Sequence, residues 1–419
     1  MAVVVMKFGG TSVANVERIK NVARHVKREV DAGNKVAVVV SAMSGATNQL
    51  VAWVNEASPL ADKREYDAVV ASGEQVTAGL TAIVLQDMGI KARSWQGWQV
   101  PIETSEAHGS ARISGIAGEA LMASLNAGEV AVITGFQGVE PKANRIATLG
   151  RGGSDTSAVA IAVAIKADVC DIYTDVDGVY TTDPRIVPKA RRLPKVSYEE
   201  MLEMASSGSK VLQTRSVELA MVNQVKTRVL SSFVKPEDMA PVRAGNLENI
   251  GTIVCGEDEI VENQVVSGIA YARDEAKITM LKLQDKPGIA ARIFGPLADA
   301  SINVDMIVQN VSSQGHTDIS FTVPHADLAR TLKVMDEHVD DIEAAGVTHD
   351  PDIGRVSIVG AGMKSHPGVA ATMFETLAAE GINIEMISTS TIRTSCVVAE
   401  ADVNRAVVAL HRAFDLETS

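Results

Sequence analysis

One internal repeat limits what this chain can fold into more than any other feature. Asp285-Lys286-Pro287-Gly288-Ile289-Ala290-Ala291 returns as Ser365-His366-Pro367-Gly368-Val369-Ala370-Ala371, with Pro287 and Pro367 80 residues apart. At the same offset, Ser301-Ile302-Asn303-Val304-Asp305-Met306-Ile307 returns as Gly381-Ile382-Asn383-Ile384-Glu385-Met386-Ile387. Each copy reads as strand, Pro-Gly helix start, amphipathic helix, Asn turn, strand, hairpin, strand and helix. Such a βαββαβ unit leaves one helical face and one open sheet face. Two copies can pair side by side and cover edges that neither protects alone. Pro287 and Pro367 fit a first helical turn, where the missing N–H costs nothing. Gly288 and Gly368 permit close approach to that terminus, where free N–H groups could hold an amino-acid carboxylate.

The residues before the repeat follow a different rhythm. Short Val- and Ile-rich runs at 3–8, 35–41, 91–94, 130–134, 169–174 and 226–231 read as strands. Helical patterns lie near 16–32, 67–87, 113–126, 156–165 and 198–222. That alternation predicts a mostly parallel sheet covered by helices. The stretch 183–194 is polar, contains Pro184, Pro188 and Pro194, and reads as an ordered loop. The polar stretch 235–249, with Pro236 and Pro241, reads as a linker. The expected division is therefore a first domain at 1–235, a linker at 236–262, and repeat regions at 263–342 and 343–419. A strand from about 264–273 is a candidate to complete the second repeat.

Candidate chemistry begins at the first strand. Lys7-Phe8-Gly9-Gly10-Thr11-Ser12 follows the apolar run Val3-Val4-Val5-Met6 and precedes a helix-compatible segment. Strand, glycine turn and helix start form a phosphate cradle, with N–H groups and a helix's positive end facing the anion. The lysine precedes the glycines, so this is not the GxxxxGK[ST] loop. A second cluster, Gly150-Arg151-Gly152-Gly153-Ser154-Asp155-Thr156, supplies another permissive turn. Phosphoryl transfer is mostly positioning plus neutralisation of spreading negative charge. Lys7 can reach an oxygen in transit, and Gly9 and Gly10 can approach phosphates because they lack Cβ. Arg151 suits bidentate contact with a carboxylate, and Asp155 could hold Lys7 in place. In Tyr173-Thr174-Asp175-Val176-Asp177-Gly178-Val179-Tyr180, Asp175 and Asp177 could orient a nucleotide and Tyr180 could cover its base. Arg185 and Lys210 are candidate phosphate contacts. Glu74 opens a helical pattern and suits its first turn for the helix's sake alone. Lys7, Ser41, Thr47, Gly135 and Thr174 all end or follow strands, so they could share one rim. His108 and His316 read as surface or turn residues, and Met201 and Met204 as core.

Composition narrows the partners. The chain has 419 residues, 46% of them hydrophobic and 22% charged, with a net charge of −13. An acidic protein repels nucleic acid and anionic membranes apart from local patches. No run of about 18 apolar residues and no signal peptide is evident. Cys170, Cys255 and Cys396 are odd in number and widely spaced, which points to a reducing cytoplasm. The eight histidines form no zinc spacing, so no protein-ligated metal is expected.

Together these motifs resemble the aspartate kinase (aspartokinase) family over nearly the whole chain. The stretches 7–13, 40–48, 72–75, 135–138, 148–156, 173–184 and 209–212 match in order. The resemblance implies an α/β amino-acid kinase fold followed by two ferredoxin-like ACT domains, small regulatory modules that bind amino acids. It implies ATP-dependent phosphorylation of the side-chain carboxylate of L-aspartate, with Mg²⁺ held mainly through the ATP phosphates. Lys7 then matches the lysine that stabilises the transferring group, and Asp155 the aspartate that organises it. Arg151 matches the arginine that grips a substrate carboxylate, and Glu74 the glutamate that accepts from the substrate ammonium. Ser41, Thr47 and Ser154 fall on the substrate side. Gly9, Gly10, Thr174, Asp175, Tyr180, Arg185 and Lys210 fall on the nucleotide side. Lysine and/or threonine are the implied effectors, with Asp285, Gly288, Ile289, Asn303, Gln309, His366, Gly368, Val369 and Asn383 as regulatory candidates. The polar segments 309–314 and 388–393 also match between repeats. Pairing through ACT domains implies a homodimer or higher oligomer, and some relatives also take a separately made regulatory subunit. The short ending after Ser419 looks like the monofunctional class. Relatives commonly read Gly-Ala-Lys where this chain has Gly208-Ser209-Lys210. Two alternatives remain open on sequence: a kinase for glutamate or acetylglutamate, and an amino-acid sensor without catalysis.

Overall fold

A computed structural model describes residues 1–242, 250–260, 264–311 and 315–417. Parts of the expected linker (243–249 and 261–262) and of the 309–314 segment (312–314) lie outside the described residues. The chain forms two compact units. The first comprises Met1–Val179, Arg192–Ala205 and Lys210–Val261; the second comprises Tyr180–Arg191, Ser206–Ser209 and Glu262–Ser419.

The first unit runs β1 (Val3–Phe8), α1 (Val16–Asp31), β2 (Lys35–Val40), α2 (Ala46–Ala57), α3 (Lys63–Val70), α4 (Ser72–Asp87) and β3 (Ala92–Trp95). It continues through β4 (Ile102–Thr104), β5 (Ile113–Ile116), α5 (Glu119–Asn126), β6 (Val130–Thr134), β7 (Gln137–Glu140), β8 (Arg145–Thr148), α6 (Gly153–Ala164) and β9 (Val169–Thr174). Then follow β10 (Lys195–Ser197), α7 (Tyr198–Ser206), α8 (Thr214–Asn223), β11 (Thr227–Ser231) and β12 (Thr252–Cys255). Eight strands form one sheet in the order β10-β12-β11-β9-β1-β2-β6-β3. The strands β11, β9, β1, β2, β6 and β3 are mutually parallel. The near-continuous burial of β1, β2, β6, β9 and β11 is what a sheet covered on both faces requires. α1 turns Ile19, Val22, Ala23 and Val26 inward and is capped by the Asn15 side chain, which accepts from Arg18 N–H. α6 is buried from Gly153 to Ala162, so its first turn sits deep.

Several elements depart from the sequence reading. The expected helix at 113–126 is a strand followed by a helix. Gly118 caps α5, where a Cβ would come 2.4 Å from the Ala164 carbonyl oxygen. The expected helix at 198–222 breaks between α7 and α8, because Gly208 has φ +111. A second sheet, β5-β4-β7-β8, has strands of only three or four residues, too short for a period to show. α3 and α4 together, Lys63–Asp87, are by length and composition apolar enough to cross a membrane, although no such run is evident by reading. Half of the most apolar window is buried inside the unit, as in a core helix.

The second unit contains β13 (Gly268–Gln284), α9 (Ile289–Asp299), β14 (Asp305–Val311), β15 (His316–Pro324), α10 (Leu328–Ile342) and β16 (Gly346–Val359). It ends with α11 (Val369–Ala379), β17 (Met386–Thr389), β18 (Arg393–Ala399) and α12 (Val403–Ala413). One antiparallel sheet, β14-β15-β13-β16-β18-β17, serves both repeats. The register of β13 on β16 shifts near Glu275, dividing both long strands in two. The start of β13, from Gly268 to Ala272, pairs with the second repeat's half of β16, and the later part pairs with the first repeat's half. Each repeat is thus a ferredoxin-like unit with a strand in a ribbon it shares with the other. The repeats also grip each other through matched residues. Asp305 pairs with Arg355, its counterpart Glu385 pairs with Lys277, and the matched Met306 and Met386 share one small core with Ile353 and Val397. Pro287 and Pro367 precede the helices instead of entering the first turn. Gly288 and Gly368 are the caps, with φ +95 and +100. A Cβ on either would meet open space, so within the fold it is the left-handed turn that calls for glycine.

In the first unit's sheet, Asp171 of β9 and Arg228 of β11 lie opposite each other and form a buried bidentate pair at 2.9 and 2.6 Å. Asp171→Ala leaves that guanidinium uncompensated. Chemical denaturation should show a loss of about 3–5 kcal/mol; a loss below about 1 kcal/mol would mean that the pair does not hold the sheet.

Candidate active site

Parallel registers bring the carboxyl ends of β1, β2, β6 and β9 into line. Lys7 lies opposite Val39 and Ile172, and Val40 lies opposite Thr134. The loops leaving those ends are stitched together by backbone bonds: Gly9 N–H to the Tyr173 carbonyl, Ser41 N–H to Phe8, and Gly135 N–H to Val40. Lys7, Ser41, Gly135 and Thr174 therefore do share a rim.

Lys7 is largely buried there, and its Nζ lies 2.5 Å from Asp155 Oδ1. Asp155 stands in the first turn of α6, whose cap Gly152 has φ +70. A Cβ on Gly152 would overlap the Gln213 side chain, and one on Gly135 would come 2.7 Å from Ser154 Oγ. A Cβ on Gly9 would come 3.4 Å from Lys7 Nζ, and one on Gly10 3.2 Å from the Ala42 carbonyl oxygen. The glycine turn is thus wrapped against the ammonium and the neighbouring loop.

Glu74 is in the first turn of α4 and 2% exposed. Its Oε1 accepts from Ala42 N–H at 3.0 Å, while Oε2 is buried with no hydrogen-bond partner among the described residues. Burial pushes its pKa up to about 7, against the opposing Ala42 hydrogen bond. Gly73 lets α4 approach this closely, since a Cβ would come 2.8 Å from that of Ala42. A buried carboxylate with a vacant oxygen suits a cationic ligand group.

Ser41 and Thr47 are half-buried on the adjoining loop and α2, Ser154 is buried beside Gly135, and Arg151 is exposed at the tip of its turn. Thr174 donates to Asp175 Oδ1 at the end of β9. Asp175 and Lys210 are exposed in the first unit. Tyr180 and Arg185 lie outside the first unit. They belong to the second, where Tyr180 packs on the second repeat's core and Arg185 pairs with Asp183. Of the regulatory candidates, Ile289 is a core residue of the first repeat and Val369 is half-buried. Asp285, Gly288, Asn303, Gln309, His366, Gly368 and Asn383 are exposed.

Sequence reasoning missed two groups behind the Gly150–Gly152 turn. Asp67 is fully buried, and Arg215 donates to the Leu149 and Ala111 carbonyls at 2.6 and 3.0 Å. No local signal marks either, because their partners are distant in the chain. His108, read as a surface or turn residue, packs against Asp67 with its side chain 9% exposed.

Residues 2–231 match the amino acid kinase family, and residues 281–339 and 356–414 match the ACT domain. An aspartokinase of Pseudomonas aeruginosa is 51% identical over 419 residues, covering all of this chain and 98% of that protein. A crystal structure of E. coli aspartokinase III in complex with aspartate and ADP, in the R-state, superposes with a TM-score of 0.82 at 28% identity. It covers 99% of this chain and 100% of that one. The same enzyme with lysine and aspartate, in the T-state, gives 0.74 at 28% identity over 98% and 99%.

The carboxyl of Glu74 binds its proton more tightly folded than unfolded, so it costs the fold stability as pH rises from about 4.5 to about 7. Glu74→Gln lacks that loss. Melting curves between about pH 5 and about pH 8 should show the variant gaining on the wild type as pH rises; parallel curves would refute the elevated pKa.

Proposed function

Because this chain belongs to the amino acid kinase family, as an aspartokinase with paired ACT domains, we propose that the Lys7–Asp155 site carries out phosphoryl transfer to L-aspartate. The enzyme is an ATP-dependent aspartate kinase feeding lysine, threonine and methionine biosynthesis, regulated through its ACT domains. The observation that carries the residue assignment is the 2.5 Å Lys7–Asp155 pair beneath the glycine turn.

The nucleophile, the aspartate side-chain carboxylate, is ionised near pH 7 and needs no general base. The barrier lies in bringing one anion to another. Lys7, pinned by Asp155, offers a fixed positive charge where the phosphoryl group is in transit, and the Gly10 backbone N–H lies on the turn beside it. Asp155 holds Lys7; Mg²⁺ would be held mainly through the ATP phosphates and would neutralise their charge. Arg151 grips a substrate carboxylate and the buried Glu74 accepts from the substrate ammonium. Ser41, Thr47 and Ser154 line that side. The nucleotide side proposed here is Gly9, Gly10, Thr174, Asp175, Tyr180, Arg185 and Lys210, with Tyr180 and Arg185 contributed by the second unit. In-line attack yields 4-phospho-L-aspartate and ADP.

For regulation, the second unit has a cavity of about 410 Å³ lined by Glu275, Asn303, Asp305, Thr322 and Arg355. Carboxylates beside a guanidinium suit an amino acid's ammonium and carboxylate. Lysine and/or threonine are the effectors in this reading. Ile307 and Ile387, matched between repeats, are exposed on the edge strands β14 and β17, which supports pairing of ACT domains between subunits. The three cysteines are buried and free, which fits a cytoplasmic enzyme.

ADP release from Mg-ATP should occur with L-aspartate, fail with L-glutamate and N-acetyl-L-glutamate, and be suppressed by lysine plus threonine. Turnover on another substrate would move the chain to a sister activity; no turnover on any would make it a sensor. Lys7→Ala should abolish turnover while leaving the circular dichroism spectrum unchanged. Near-normal kcat in that variant would sink the lysine's role.

A further inference from the structure

Asp67 of α3 is fully buried and lies behind the turn that presents Arg151. Its Oδ1 accepts from Thr148 Oγ1 at 2.5 Å, both oxygens accept from Gly109 N–H at 3.1 Å, and Oδ2 lies 2.7 Å from His108 Nδ1. A carboxylate only accepts, so Nδ1 is the donor in that last contact. Every partner belongs to one of two strands of chain that meet at the turn. Thr148 ends β8, two residues before Gly150, and its carbonyl accepts from Ala111 N–H. Gly109 and Ser110 pack on Gly150, where a Cβ would come 3.5 Å from the Gly109 carbonyl oxygen. Arg215 closes the other side by donating to Leu149 and Ala111. The turn needs this support, because Gly150 and Gly152 both have positive φ and do little to hold their own conformation.

We propose that Asp67 is a positioning residue for aspartate binding, its carboxylate fastening Thr148 and Gly109 so that Arg151 stands where a substrate carboxylate arrives. The inference rests on the assignment of Arg151 to that carboxylate. Asp67 touches no substrate itself. A displacement of about 1 Å at the guanidinium is enough to cost one to two orders of magnitude. The effect falls mainly on the substrate side, because Lys7 is carried by β1, and Asp155, although it follows the same turn, stands on the buried helix α6 and is fixed by Lys7.

The test is steady-state kinetics with aspartate and with ATP for Asp67→Asn, Thr148→Val, Thr148→Ser and Arg151→Ala. Asp67→Asn keeps the shape but turns an acceptor into a donor against Gly109 and His108. Thr148→Val keeps the carboxylate with those two partners, so it carries the test if Asp67→Asn fails to fold. Both should raise the aspartate KM about tenfold and leave the ATP KM within about twofold. Thr148→Ser, which retains the hydroxyl, should restore the aspartate KM. In an Arg151→Ala background, Asp67→Asn should add nothing further. A raised KM in Arg151→Ala with none in Asp67→Asn or Thr148→Val would overturn the positioning role alone, as would a joint rise in both KM values. An unchanged aspartate KM in Arg151→Ala would overturn the arginine's assignment, and the inference with it.

Discussion

The ion pair between Lys7 and Asp155 is the contact around which the catalytic unit is organised. A lysine this buried is tolerated only where a carboxylate meets it at close range. The carboxylate comes from the first turn of α6, and that turn reaches the strand ends because α6 is apolar on nearly every side and sinks against the sheet. Its amino-terminal position matters as well: an acidic residue there is favourable to the helix itself, so the residue that fixes the lysine also stabilises the element that presents it.

Around that pair, close approach is bought with missing side chains. Gly73 lets Glu74 meet the Ala42 backbone, Gly135 makes room for Ser154, and Gly152 makes room for Gln213 while turning the chain into α6. These contacts leave the turn around Arg151 dependent on its surroundings, since positive-φ glycines resist few alternatives. Rigidity comes from behind, through the buried Asp67, which holds Gly109 N–H and the Thr148 hydroxyl, and the half-buried Arg215, which holds the Leu149 and Ala111 carbonyls. Buried charges of this kind persist where each is fully hydrogen-bonded, as the oxygens of Asp67 are.

In the second unit, the repeat acts as two interlocked halves. A shared two-strand ribbon belongs to both, and residues matched at the 80-residue offset cross from one repeat to the other: Asp305 to Arg355, Glu385 to Lys277, Met306 beside Met386. Arg355 also pairs with Glu275 and donates to the Ser206 carbonyl. A ligand competing for Asp305 would therefore meet a guanidinium already engaged by the repeats and by the segment Ser206–Ser209.

Much was legible in the chain because it was local. Continuous Val runs announce strands buried on both faces, a glycine pair after Lys7 announces a turn at a strand end, and two motifs repeated at one offset announce a doubled βαββαβ unit. What stayed hidden depended on contacts at long range. The short strands of the second sheet carry no period, and the breaks at Gly118 and Gly208 sit inside stretches whose apolar spacing is helical. Glu74 looks like an ordinary first-turn acid until burial beside Ala42 raises its pKa. His108 looks like a surface residue until Asp67, 41 residues away, receives it. Tyr180 and Arg185 follow β9 closely in the sequence, yet they pack in the second unit. The sequence by itself determined the element types, the repeat and the residues able to handle phosphate, since periodicity and side-chain chemistry are properties of short segments. Only the tertiary structure decided which of those residues share a rim and which carboxylates are buried and supported, because burial and hydrogen-bond partners come from segments far apart in the chain.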